Sequence, residues 1–125
     1  MKRILCLISI LCMISLATSG CSLFLRPTNI SKTCYSVGIN VLEITDKYID
    51  SKITAVDAAG QIQDQCTILD ALPEQKGTED QNVKNYCNIL SHTFMLLSED
   101  NHQEEENLIP NRNFLATLLG KPMKE

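Results

Sequence analysis

Tryptophan is absent, and three phenylalanines and three tyrosines make up the whole aromatic content. Any core must therefore be built mainly from Ile, Leu and Val, and a domain with so thin a core often carries a cross-link. Basic residues are also few, 11 Lys and Arg against 15 Asp and Glu. Nucleic-acid binding needs clustered cations to displace counterions, so this charge balance argues against it. The chain has no glycine-rich phosphate loop, no calcium-loop pattern and no close-spaced cysteine pair such as zinc sites use. There are two histidines. His92 falls beside an apolar stripe and His102 in an acidic stretch, which gives no convergent ligand set for a metal. Ser91 and His92 are neighbours, but neighbours on a helix point about 100° apart, which is poor geometry for a nucleophile and its base. Asp57, Asp64 and Asp70 fall at polar positions of one helix and read as a solvated face. The expectation is a protein with no catalytic residues, no metal and no cofactor. No strand alternation and no internal repeat appear either.

The first twenty residues carry the strongest positive signal. Lys2 and Arg3 are followed by an apolar run from Ile4 to Ala17, broken only by Ser9 and Ser15, and then by Thr18-Ser19-Gly20 before Cys21. A positive start, an apolar core and small residues make an export signal, and the core is short for a membrane span. The arrangement resembles the bacterial lipobox, with Thr18 where that pattern usually has leucine. The resemblance implies that Cys21 carries palmitate-type acyl chains and becomes the first residue of the mature protein. Ser22, in place of Asp, implies transport to the outer membrane. Cys6 and Cys12 would leave with the signal. The mature chain, residues 21–125, has 9 basic and 15 acidic side chains, a net charge of −6. Anionic lipid should repel it, so attachment would rest on the acyl chains, each buried methylene adding roughly 0.8 kcal/mol.

Residues 22–29 read as a tether, with Leu23, Phe24 and Leu25 near the lipid and Pro27 barring a continuous helix. From Ile30 the spacing becomes helical: Ile30, Cys34, Val37, Val41, Ile44 and Tyr48 share one face, and Ser31 is the expected N-cap. Asp50-Ser51-Lys52 breaks the pattern. Thr54 with Asp57 forms a capping-box variant that opens a second helix, with the stripe Val56, Ala59, Ile62, Cys66 and Leu69, ending by Pro73. Gly60 inside it suggests a close backbone approach. Thr78 with Gln81 opens a third helix along Val83, Tyr86, Leu90, Phe94 and Leu97. Ser98 to Asn107, including Glu104-Glu105-Glu106, reads as a mobile acidic linker. After Pro110 the stretch Phe114–Leu119 predicts a short helix stopped by Gly120 and Pro122. The predicted fold is all-α, an antiparallel helical hairpin extended to a small three-helix arrangement with a short C-terminal helix. The division is signal 1–20, lipidated cysteine and tether 21–30, helical domain 31–98, acidic linker and apolar end 99–125.

Cys34, Cys66 and Cys87 remain in a compartment that permits disulfides. Folding about Ser51 brings Cys34 level with Cys66, and such a bridge would add roughly 3–4 kcal/mol in the chain-entropy model. Folding about the second loop brings Cys66 level with Cys87, so that pairing competes. The odd cysteine would be a small buried hydrophobe or an intermolecular site.

Residues Asp50 to Ala58, with Gln61 to Gln65 and Leu69-Asp70-Ala71, resemble a pattern of small bacterial and prophage-borne lipoproteins, in which a polar turn and an Ile-Thr pair open a second helix. This chain departs from it in carrying Cys34 and Cys66, in its lower alanine content and in its longer acidic tail. The resemblance implies a membrane-tethered helical hairpin in the periplasm, a non-enzymatic accessory module of a phage lysis or exclusion cassette. Its expected partner is an envelope protein, captured through Phe114, Leu115, Leu118 and Leu119. The alternative is a small secreted helical ligand of a eukaryote, since Asn29-Ile30-Ser31 is a glycosylation sequon.

Overall fold

A computed structural model describes residues 26–125. The expected signal segment, Cys21 and the first half of the expected tether, residues 22–25, lie outside the described residues. The fold is all-helical: α1 spans Lys32–Ile49, α2 Ala55–Asp70, α3 Glu79–Ser98 and α4 Glu105–Leu118, with a 3₁₀ turn at His102–Glu104 before α4. Helix α3 is the hub. It packs against α2 on one side and α4 on the other, while α1 lies against α2 and also touches α3 and α4.

Local chemistry sets the boundaries. The Ser31 hydroxyl accepts from the Cys34 amide at 3.3 Å and opens α1. Thr54 and Asp57 form the full capping box, the hydroxyl accepting from the Asp57 amide at 3.1 Å and the carboxylate from the Thr54 amide at 3.3 Å. Only half of the second box forms. Thr78 caps the Gln81 amide at 3.2 Å, but the Gln81 side chain turns along the helix to Asn85. Helices α1, α3 and α4 all end in Schellman turns, with Lys52, Asn101 and Lys121 amides donating back to Lys47, Leu96 and Ala116 carbonyls. The left-handed residue of each turn is Ser51 (φ 57°), Asp100 (φ 63°) and Gly120 (φ 66°), so one of the three has the residue such a turn prefers.

The predicted faces are buried with a few changes. Ile30, Cys34, Val37, Val41 and Ile44 line the core from α1, and Tyr48 meets Phe94 edge-on at 5.1 Å. In α2 the stripe begins at Ala58, and Val56 is solvent-exposed. In α3 Cys87 takes the buried position next to half-buried Tyr86. Gly60 faces open space; the close approach is at Gly38, where an added Cβ would lie 2.8 Å from a Leu119 methyl. Gly38, Leu42 and Thr45 form a second buried face of α1.

The acidic linker is not a linker. Residues 98–107 comprise the end of α3, its Schellman turn, the 3₁₀ turn and the start of α4, and the last helix begins five residues before Pro110. Glu105 and Glu106 stand in its first turn, where carboxylates are favoured by the exposed amides. Leu108, buried in the core, anchors this turn, and Pro110 lacks the amide that would bond back within the helix. The three-helix arrangement with a C-terminal helix is thus the observed fold, α4 being longer than expected and packed on α3.

Candidate functional site

Three places bear on function: the buried cysteines, the C-terminal clasp and the exposed remainder of the terminal apolar segment.

Cys34, Cys66 and Cys87 all sit in the core, and all three are free thiols. Neither predicted bridge is formed. Being level along a hairpin places two cysteines at the same height, but a disulfide also needs their Cβ atoms about 4 Å apart and facing. The three thiols share one core cluster, with different polar neighbours. Cys34 interacts with the side chains of Ser31 and Asp80 and Cys66 with that of Ser91, while Cys87 is fully enclosed. Burial is the main cause that pushes all three thiols above their ordinary range, with the neighbouring Cys66 and Cys34 raising Cys87 further. A thiol held protonated is a poor nucleophile and a poor metal ligand. Among the described residues no group of three or more His, Cys, Asp or Glu side chains is arranged to hold a metal ion.

The terminal segment divides in two. Leu115 and Leu119 are fully buried, Leu119 against Gly38 and Leu115 in the same core. They are therefore part of the fold and not an open partner surface, because burying α4 against α3 leaves only one side of the helix exposed. Leu118 is half-buried and Phe114 is 55% exposed. Phe114 stacks on Tyr86 of α3 at 5.4 Å, and exposed Ile89 lies one turn further along α3. Beside it runs an open groove of about 420 Å³ between α3 and α4, lined by Ile89, His92, Asn107 and Asn111 among others. His92 is exposed there, and His102 is exposed in the 3₁₀ turn, 3.3 Å from Glu105. Asp57, Asp64 and Asp70 are solvated along α2.

Nothing in the sequence pointed to the most elaborate polar cluster. Arg112 of α4, buried to 4% exposure, donates through Nε and Nη2 to the two oxygens of Asp46 of α1, both at 2.9 Å. Its Nη1 donates to the Pro122 carbonyl at 2.6 Å. Beyond it, Asn113 binds the Lys124 backbone twice, accepting from its amide at 2.8 Å and donating to its carbonyl at 2.7 Å. The Lys124 ammonium reaches Asp50 at 2.9 Å. This hydrogen bond is the first cause that holds the Asp50 carboxyl below, and the Lys124 ammonium above, its usual range. The last residues are thereby clasped over α1 and α4 and run back towards the α1–α2 turn. The bidentate guanidinium–carboxylate pair fastens α4 to α1, and Nη1 is turned to the chain's own Pro122 and Asn113.

A further cleft of about 220 Å³ lies where the start of α1, the end of α2 and the start of α3 meet. It is lined by Cys34, Leu69, Leu72, Asp80 and Lys84 among others, and the Asp80 carboxylate there accepts from the Ser31 amide at 2.7 Å. No helix among the described residues is long and apolar enough to cross a membrane. Set against known proteins, the chain matches no family model, and no curated protein and no solved structure resembles it significantly.

Proposed function

We propose that the protein is a lipid-anchored envelope protein acting as a non-enzymatic interaction module, held through Cys21 and facing the periplasm, with the outer membrane as its destination. The observation that carries this reading is the order of a basic start, an apolar run and Thr18-Ser19-Gly20-Cys21. It is supported by the position of the first described residues, which enter the bundle at Ile30 and leave Arg26 exposed for a short tether. The accessory role, as part of a lysis or exclusion cassette, rests on the resemblance to small phage-borne lipoproteins. The partner-facing part is then Phe114 with Tyr86 and Ile89, in place of the buried Leu115 and Leu119. An intact mass of the protein from host membranes tests the reading. A chain beginning at Cys21 with diacylglyceryl and acyl mass supports it, and an unlipidated chain in the medium refutes it. One observation favours a second reading: Asn29 is exposed at the sequon, open to a glycan on a secreted helical ligand. A glycan mass on Asn29 would establish that reading instead.

A further inference from the structure

Net charge conceals a strong polarity along the bundle. At one end Pro27 lies beside Gly120, the Ser31 amide binds Asp80, and the α2–α3 loop closes against the start of α1. This is the end where the tether joins. Over residues 26–34 and 70–84 it carries four basic side chains, Arg26, Lys32, Lys76 and Lys84, against four acidic ones, a net of zero. At the opposite end the α1–α2 turn meets the start of α4 around Ile49, Ser51 and Glu105, and the clasped Lys124 joins them. Over residues 43–57, 99–106 and 124–125 that end carries ten acidic side chains against three basic ones, a net of −7. The ends are separated by the length of α1, whose 18 residues rise about 27 Å. That exceeds the screening length of roughly 8 Å at physiological salt, so an anionic surface at one end hardly senses the other.

From this we infer that the tether end of the bundle is a phospholipid-facing surface, with the acidic end held away from the membrane. The inference rests on the anchoring proposed above. Five residues from Cys21 to Arg26 reach at most roughly 18 Å, so the lipid keeps the domain within contact distance of the headgroups. Within that reach the domain can still rotate. Charge removes the choice: an anionic surface repels the −7 end and tolerates the neutral end, where Arg26, Lys32 and Lys76 are exposed. The overall repulsion expected from the net charge is thereby turned into an upright orientation.

The absence of tryptophan gives a clean test. The mature chain is coupled through Cys21 to a maleimide-bearing phospholipid, which anchors it whether or not its host acylates that residue. A lack of lipid in the native protein would thus sink the proposed function and leave this test standing. Gln75→Trp and Gln103→Trp place single reporters at exposed positions of the two ends without altering charge. In vesicles containing about a third phosphatidylglycerol and a headgroup nitroxide lipid, Gln75→Trp should be quenched at least about twofold more than Gln103→Trp. Adding Arg26→Glu and Lys32→Glu should erase that difference. Equal quenching of the two reporters, or a difference that survives the charge reversal in full, overturns the inference.

Discussion

Removing the carboxylate of Asp46 should cost more than removing the guanidinium that faces it. The Arg112 side chain is 5% exposed and that of Asp46 28% exposed. Asp46→Ala leaves a buried cation with only the Pro122 carbonyl and the Asn113 side-chain oxygen, 2.6 and 3.2 Å from Nη1. Breaking a buried pair in this way costs about 3–5 kcal/mol, and the partial exposure of Asp46 places the value near 3. Arg112→Met removes the charge and keeps most of the aliphatic packing. The stranded Asp46 can then take water, and the Lys124 ammonium lies 3.6 Å away, so about 1 kcal/mol is expected. For a domain of this size the first change lowers Tm by about 12 °C or more and the second by about a third of that. Urea denaturation of the two variants and of the double variant measures the asymmetry. The double variant should lie close to Arg112→Met, because without the cation the loss of Asp46 matters little. If Asp46→Ala is no more destabilising than Arg112→Met, Arg112 is not the buried partner of the pair, and the description of the clasp fails.

Ser51→Gly should raise stability by about 0.5–1 kcal/mol in urea unfolding, since glycine adopts the left-handed turn without the Cβ penalty Ser51 bears; a destabilised variant would contradict the Schellman turn there. Cys34, Cys66 and Cys87 should resist a thiol reagent at pH 8 in the native protein, Cys87 most of all, and all three should react in denaturant; fewer than three would reveal a bridge. The Asp50–Lys124 contact gives a pH signature. The lowered Asp50 pKa makes its contribution present above the ordinary value of 3.8 and lost as pH falls through the folded value, while the raised Lys124 pKa makes its contribution present below 10.5 and lost as pH rises through the folded one. The stability difference between wild type and Lys124→Met should therefore form a plateau at neutral pH that declines on both sides, and a difference independent of pH would refute it.

Much of α1 to α3 was legible because the signals are local. Spacings of three and four marked the buried faces, and Thr54 with Asp57 announced α2 three residues ahead of its first full turn. Of helix α4 only the second half was legible, with its stop at Gly120 and Pro122; its first half was not, for a reason that can be stated residue by residue. Its buried stripe is Leu108, Arg112, Leu115 and Leu119, a helical spacing with a cation at one core position. An arginine there reads as an interruption unless its partner is known, and Asp46 lies 66 residues earlier. Glu104 to Glu106 look like solvated linker for the same cause, since what orders them is Leu108 docking on a distant helix. The binding segment inherited that error. Phe114, Leu115, Leu118 and Leu119 are alike in composition, and only the phase of α4 decides which of them meets solvent. Gly38 tells a similar story: the close approach it permits is to Leu119, from the other end of the chain.

The unpaired thiols set a kinetic condition. In the periplasm proposed above, a newly delivered chain would expose Cys34, Cys66 and Cys87 to oxidation, and any bridge formed then would trap them outside the arrangement the core requires. Helical bundles fold in microseconds to milliseconds, whereas disulfide formation takes seconds or longer. At those rates collapse of α1, α2 and α3 over their cysteines would win the race, and in such a compartment speed of folding would protect the core. A variant that folds slowly would lose that protection before it lost its stability, and would first be noticed as mispaired chains.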